Sequence, residues 1–303
     1  MPKTAKRTIY SHETHIQQLA ASKELIEIKW SPSIVSEIFE YIMSLDERER
    51  GEDSPGEWFF YLGGVRFDMK GCIYGWFESV RTDIRTDLRR RSTMATRKNP
   101  KNEDEGEVRR THFYFRLSDG LFLLDSFGTG FVTNRRVEEY LASKAKIVFE
   151  KHGIQYIQFA NLVDKGFLDK LDKFEVLRVA QIKLKVEQKA QYDEEDAIGH
   201  LQSQSQEFEA NYLNVDIGKS RAKKRGMNVQ KVAGFLRQLM KNRSEIISGT
   251  IEGIRSDGGS PKLKLKGIEE KYPKTFNTDS NGEVLSEDVI NYIMEIGLNH
   301  KQL

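Results

Sequence analysis

Thr111-His112-Phe113-Tyr114-Phe115-Arg116-Leu117-Ser118-Asp119-Gly120-Leu121-Phe122-Leu123-Leu124-Asp125 is the stretch that decides the fold class. Two runs rich in aromatic and aliphatic residues flank Asp119-Gly120, and Asp-Gly supplies the positive φ that a tight hairpin turn requires. The segment therefore reads as a β-hairpin. Upstream, Trp58-Phe59-Phe60-Tyr61-Leu62 and Cys72-Ile73-Tyr74-Gly75-Trp76-Phe77 share that texture. Gly63-Gly64 and Lys70-Gly71 punctuate them, and both runs read as strands of the same antiparallel sheet.

Helical spacing frames these strands. Ile34, Ile38 and Tyr41 or Ile42 fall on one face of a helix expected from Ser33 to Leu45, with Pro32 suited to its first turn. A second helix, capped by Asn134, is expected through Val137, Tyr140 or Leu141, Ala145 and Val148 to about His152. A strand over 154–162, a short helix over 164–171 and a strand over 174–186 complete a first domain. On that last strand Val176, Ala180, Ile182, Leu184 and Val186 share a face, with Arg178 as the exception. The opening segment, Met1 to about Ser22, is polar and is expected to be loosely held.

Past Val186 the texture changes. Residues 187–209 are acidic and Gln-rich, a linker or a solvated helix. An amphipathic helix follows over 228–242 through Val229, Val232, Ala233, Leu236, Leu239 and Met240. A strand over 246–255, a turn at 256–260 and the alternating Lys262-Leu263-Lys264-Leu265-Lys266 form a hairpin. Ser286 is placed to cap a last helix that ends at Gly297. The expected fold class is α+β. An antiparallel-sheet domain with packed helices spans 1–190, the acidic segment 191–209, and a smaller basic α+β domain 210–303.

The chain has 303 residues, 38% of them hydrophobic and 31% charged, with a formal net charge of +2. Such a composition indicates a globular chain with a buried core. No stretch approaches the roughly 18 apolar residues of a membrane span, and Met1 to Arg7 lacks an apolar signal region. No membrane span and a cytoplasmic location are expected. Cys72 is the single cysteine, so neither an internal disulfide nor a thiolate metal cluster can form.

Although the whole chain is near neutral, its charge is segregated. Nine Lys or Arg and no acid lie between Lys219 and Arg243, while residues 187–216 hold eight acids against one Lys. A basic block of that kind is an electrostatic footprint for a polyanion. The candidate phosphate contacts are Lys219, Arg221, Lys223, Lys224 and Arg225, extended along the helix by Lys231, Arg237 and Lys241. A second basic stretch runs from Arg81 to Lys101, where Arg81, Arg85 and Arg89 would form one stripe if helical. The three lysines of 262–266 make a third cationic surface. The expected partner is nucleic acid, double-stranded DNA first, held by contacts that position rather than specify.

Catalytic patterns are sparse. Asp172 with Glu187-Gln188-Lys189 has the order of a carboxylate followed by an acid-x-lysine pair, as in Mg²⁺-dependent nucleases, and is the enzyme alternative. Arg7 and His12 repeat an Arg-x4-His spacing found in some ribonucleases. His12 and His15 lie three apart without a third ligand, and the other histidines are scattered singly, so no metal and no cofactor are expected. A third reading is a protein-interaction adaptor that uses the acidic and basic segments.

In layout the chain resembles the RexA-type phage-exclusion proteins. The likeness rests on Phe113 to Phe115, Leu121 to Leu124 and Lys219 to Arg225, set in an aromatic-rich domain followed by a basic one. It implies a two-domain, dimeric, sequence-tolerant DNA-binding protein acting against phage through abortive infection, together with a second protein, and without a catalytic residue.

Overall fold

A computed structural model describes residues 3–19, 25–54, 58–81, 87–90, 92–102, 105–126, 132–186, 197–218, 227–241, 246–280 and 282–301. The chain is α+β and divides into two units, Met1–Phe159 with Tyr272–Leu303, and Ala160–Lys271. Its elements run β1 (Thr4–Leu19), β2 (Leu25–Glu27), α1 (Pro32–Ser44), α2 (Glu47–Arg50), β3 (Glu52–Ser54), β4 (Trp58–Asp68), β5 (Cys72–Arg81), β6 (Leu88–Arg89), β7 (Thr96–Arg97), β8 (Glu107–Arg116), β9 (Leu121–Ser126), α3 (Asn134–Lys144), α4 (Lys146–His152) and β10 (Ile154–Asn161). They continue with α5 (Lys165–Leu171), β11 (Phe174–Lys185), α6 (Ala197–Glu207), β12 (Tyr212–Gly218), α7 (Val229–Lys241), β13 (Ile246–Arg255), β14 (Lys262–Lys264), β15 (Lys271–Asn277) and α8 (Ser286–Asn299).

The Asp-Gly hairpin is β8–β9, with Phe113 opposite Leu124 and Arg116 opposite Leu121. Gly120 takes the left-handed φ of +79° at its turn. Around it the first unit's sheet runs in the order β10-β1-β9-β8-β5-β4-β3, and β2 and β15 also pair with β1. One face carries Phe77, Phe113, Phe115 and Phe122, which pack with Phe39 and Ile42 of α1 and Tyr140 of α3. Phe122 and Phe159 stack with ring centroids 4.1 Å apart. Burying aromatics of this size supplies most of the driving force for the unit.

Contrary to the expectation of a loose N-terminal segment, β1 is a sixteen-residue strand inside the sheet. Its polar side chains hid it from a hydrophobicity reading, because Arg7, Ser11, His12, Thr14 and His15 are themselves buried. Several are paired there. Arg7 Nη1 contacts Asp125 Oδ2 at 2.5 Å, Thr14 donates to the Gly120 carbonyl at 2.6 Å, and His15 Nδ1 meets Glu27 at 2.7 Å.

The expected division at 190–210 is also corrected. The strand β11, assigned from sequence to the first domain, belongs to the second unit, and α8 returns to the first. Two interactions seat α8. Gly297 lies so close to Tyr114 that a Cβ on it would stand 2.3 Å from the ring. It is a packing point inside the helix, which continues to Asn299, and not the expected terminus. Arg116 donates to the carbonyls of Gly297, His300 and Lys301 at 2.7, 2.9 and 3.0 Å while Asp119 braces its other edge. A guanidinium at this end opposes the negative pole of the helix. Local caps shift too: Thr133, not Asn134, accepts the Arg136 N–H of α3, and the N-cap position of α8 is held by Leu285, with Ser286 the first helical residue.

In the second unit the sheet order is β12-β11-β13-β14. The inward row Ile217–Ala180–Ile251–Leu263 crosses all four strands. Val232, Ala233, Leu236 and Leu239 of α7 pack in the same core. A bulge between Leu177 and Val179 explains the Arg178 exception, since the extra residue lets Leu177 and Ala180 both face inward and leaves Arg178 exposed. Part of the acidic segment is helical, as α6, with Ile198 and Gln202 buried.

This packing sets the response to substitution at two glycines. Gly297→Ala should destabilise the chain by about 1–3 kcal/mol through overpacking against Tyr114. Gly234→Ala, at an exposed position of α7 where a Cβ meets nothing within 4 Å, should stabilise it by about 0.5–1 kcal/mol; urea unfolding measures both. His112 is fully buried, with Nδ1 3.2 Å from Asp125 Oδ2. Burial lowers its pKa, against the pull of Asp125 and with the help of Arg7 and Arg110. As pH falls below about 6.5 the unfolded chain protonates this histidine before the folded one does, so stability drops on acidification. His112→Gln should flatten that part of the stability–pH curve, read from urea midpoints between about pH 7 and 5.

Candidate nucleic-acid interface

Among the described residues α7 covers one face of the second unit's sheet and no helix covers the other, and alternation decides what stands there. Asp216, Gln181, Thr250 and Lys264 form one cross-strand row, and Asn214, Lys183 and Ser248 the next. Since side chains alternate along each strand, every apolar residue sent to α7 leaves a polar neighbour on the open side. The result is a groove of about 610 Å³ whose lining includes Lys183, Asn214, Lys262, Lys264 and Lys266.

Its cations differ in freedom. Lys262 reaches Glu252 at 2.6 Å, and Lys183 Nζ stands 4.0 Å from the centre of the Tyr212 ring. Lys264 and Lys266 are exposed. Neither has an acidic partner among the described residues. The amides and hydroxyls of Gln181, Asn214, Ser248 and Thr250 add neutral hydrogen-bonding groups between them. The groove can take an extended anionic polymer, with ammonium groups for the charge and amides for the remaining oxygens.

Lys219, Arg221, Lys223, Lys224 and Arg225 lie outside the described residues, but their flanks are informative. Gly218 pairs with Val179, and Met227 donates its N–H to the Leu177 carbonyl at 2.8 Å. Both flanking residues are thus held on β11, the strand that carries Lys183.

Lys231 and Arg237 are exposed on α7, and Lys241 is the last residue of that helix. Lys231 and Arg237 do not extend the lysine face, because α7 packs on the side of the sheet opposite to Lys262 and Lys264. The expected arginine stripe is corrected as well. Arg81 ends strand β5, its guanidinium 5.7 Å from the Trp58 ring centre. Arg89 lies in the two-residue strand β6, which pairs with β7, and Arg85 is outside the described residues. Arg81 and Arg89 thus stand in strands and not in a helix, and the ribbon leaves Arg89, Arg90, Arg97 and Lys98 exposed.

The enzyme alternative gains no geometry. Asp172 is exposed at the end of α5, accepting from Gln230 at 3.2 Å, while Glu187 and Lys189 lie outside the described residues. Arg7 and His12, five apart on a strand, point to opposite faces and share no site. Among the described residues no three His, Cys, Asp or Glu side chains converge to hold a metal ion. No helix among them is long and apolar enough to cross a membrane.

Sequence reasoning had marked Lys262, Lys264 and Lys266 but missed Lys183. The signal was present, since Gln181, Lys183 and Lys185 alternate with Ala180, Ile182 and Leu184. No family model matches the chain, and no curated protein is detectably similar to it in sequence.

Proposed function

We propose that this protein binds nucleic acid through the sugar-phosphate backbone, using the open sheet face of the second unit. The observation that carries the reading is the convergence of Lys183, Lys262, Lys264 and Lys266 in one groove with neutral hydrogen-bonding side chains and a single lining carboxylate, Asp216. The strand at its centre also pairs with Gly218 and accepts the N–H of Met227, the described residues on either side of the sequence stretch that holds Lys219 to Arg225. Backbone contacts of this kind are tolerant of sequence and release condensed counterions, so affinity falls steeply with salt. The cellular role that goes with the reading is phage exclusion by a cytoplasmic homo-oligomer, for which plaquing efficiency on expressing cells is the assay.

The direct test is fluorescence anisotropy with labelled duplexes of unrelated sequence across a salt series. Replacing Lys183, Lys264 and Lys266 together by Ala should weaken all duplexes alike. It should flatten the log–log salt slope by about 2 to 3, near 0.9 for each phosphate that is no longer neutralised. Replacing Lys231 and Arg237 by Ala should change that slope far less, because they lie across the sheet from the groove. Equal effects of the two variants, or none from the first, would show that the polymer is held elsewhere.

A further inference from the structure

Half of one face of the first unit's sheet is built differently from the rest. On β8 and β9 it is covered by α8. On β4 and β5 it carries Phe59, Tyr61, Tyr74 and Trp76, all half-buried. These aromatics belong to neither hydrophobic core of the molecule.

Their arrangement is fixed by packing and by hydrogen bonds. Gly63 and Gly64 leave the space the indole of Trp76 occupies, since a Cβ on either would stand 2.6 Å from its ring atoms. The ring therefore lies against the strand backbone. Its Nε1 donates to Glu78 Oε1 at 3.0 Å, and Tyr61 donates to Glu78 Oε2 at 2.7 Å. Arg110 Nε donates to the same carboxylate at 2.9 Å, with its guanidinium 5.6 Å from the Trp76 ring centre. Three donors thus engage both oxygens of one carboxylate. Burial pushes the Glu78 pKa up, but these hydrogen bonds outweigh it and hold the group below its ordinary value. The network orders two rings and a guanidinium on a surface that water still reaches: the Arg110 side chain is 48% exposed.

Arg110 is joined by a second cation at this surface. Arg66, exposed, lies cross-strand from Tyr74. The chain that leaves β5 and enters β8 carries the ribbon with Arg89, Arg90, Arg97 and Lys98 exposed. Rings ordered for stacking, arginines beside them and a carboxylate already consumed internally describe a surface for bases joined by phosphates. Tyr74 and Trp76, two residues apart on one strand, stand about 7 Å apart along it, a spacing that admits one base on each. A duplex keeps its bases stacked on one another and cannot offer their faces.

We infer that the β4–β5 face with Arg110 is a stacking platform for single-stranded nucleic acid, centred on Trp76. The inference rests on the proposed nucleic-acid function only for the class of partner, and it adds the strandedness and a second, base-contacting site.

The test uses the full chain and a labelled oligo(dT) of about 20 nucleotides beside a duplex of equal length, with circular dichroism to confirm folding. Trp76→Ala should weaken oligo(dT) binding about 10-fold, as expected when one stacked base is released. It should leave the duplex affinity and the salt slope nearly unchanged, and Trp76→Phe should restore most of the loss. Arg110→Gln, which keeps the side-chain bulk at an exposed position, should weaken oligo(dT) binding even if Trp76→Ala fails to fold. Unchanged oligo(dT) affinity in a folded Trp76→Ala and in Arg110→Gln overturns the platform. Equal losses for duplex and single strand overturn its strandedness. Failure of the lysine variants of the second unit to alter the salt slope, with the Trp76 effect intact, would instead remove the groove and keep the platform.

Discussion

The buried pair between Arg7 and Asp125 is the interaction on which the first unit is organised. Both side chains lie almost out of solvent, Arg7 at 8% and Asp125 at 0% exposure. An ion pair in that position is costly to break from one side, because the survivor is left charged in a poor solvent. The pair therefore fixes where β1 sits against β9. Everything hung on β1 follows, namely β2, β10 and β15, and through β15 the return of the chain to α8.

Both units share one architectural feature with functional consequences. Each covers one face of an antiparallel sheet with helices and leaves at least part of the other open. In the second unit the open face is polar, with four lysines against Asp216 and Glu252, a consequence of alternation in the stretch of β11 beyond its Leu177/Val179 bulge and along the facing parts of β13 and β14. In the first it is aromatic, with arginine beside the rings. Charge alone favours neither strand form, whereas half-buried surface rings discriminate between a closed duplex and a strand with free base faces.

The fold was legible wherever burial and hydrophobicity coincide. The hairpin around Asp119-Gly120, helix α1 and strands β5, β11 and β13 stand close to where periodicity places them, whereas β4 starts where expected but runs on through Gly63-Gly64 to Asp68. It was illegible where polar residues are buried, as in β1, whose Arg7, Thr14 and His15 find partners distant in sequence. Gly297 looked like a helix end because a glycine that serves close packing is identical in sequence to one that serves a cap. For the site, Lys262, Lys264 and Lys266 were readable from alternation. Their separation from Lys231 and Arg237 was not, since no local pattern says on which side of a sheet a later helix will pack. The Trp76 platform was hidden for a related reason: its ring, its glycine bed and its arginine come from three strands.

Hydrogen–deuterium exchange of the full chain, free and saturated with an oligonucleotide, reads out directly whether the polymer lies on the lysine-bearing sheet face. Exchange should slow at residues 179–185, 248–252 and 262–266, with the solvent-facing side of α7 unaffected. Protection confined to α7, or none in the second unit despite measured binding, would place the polymer elsewhere and refute the groove.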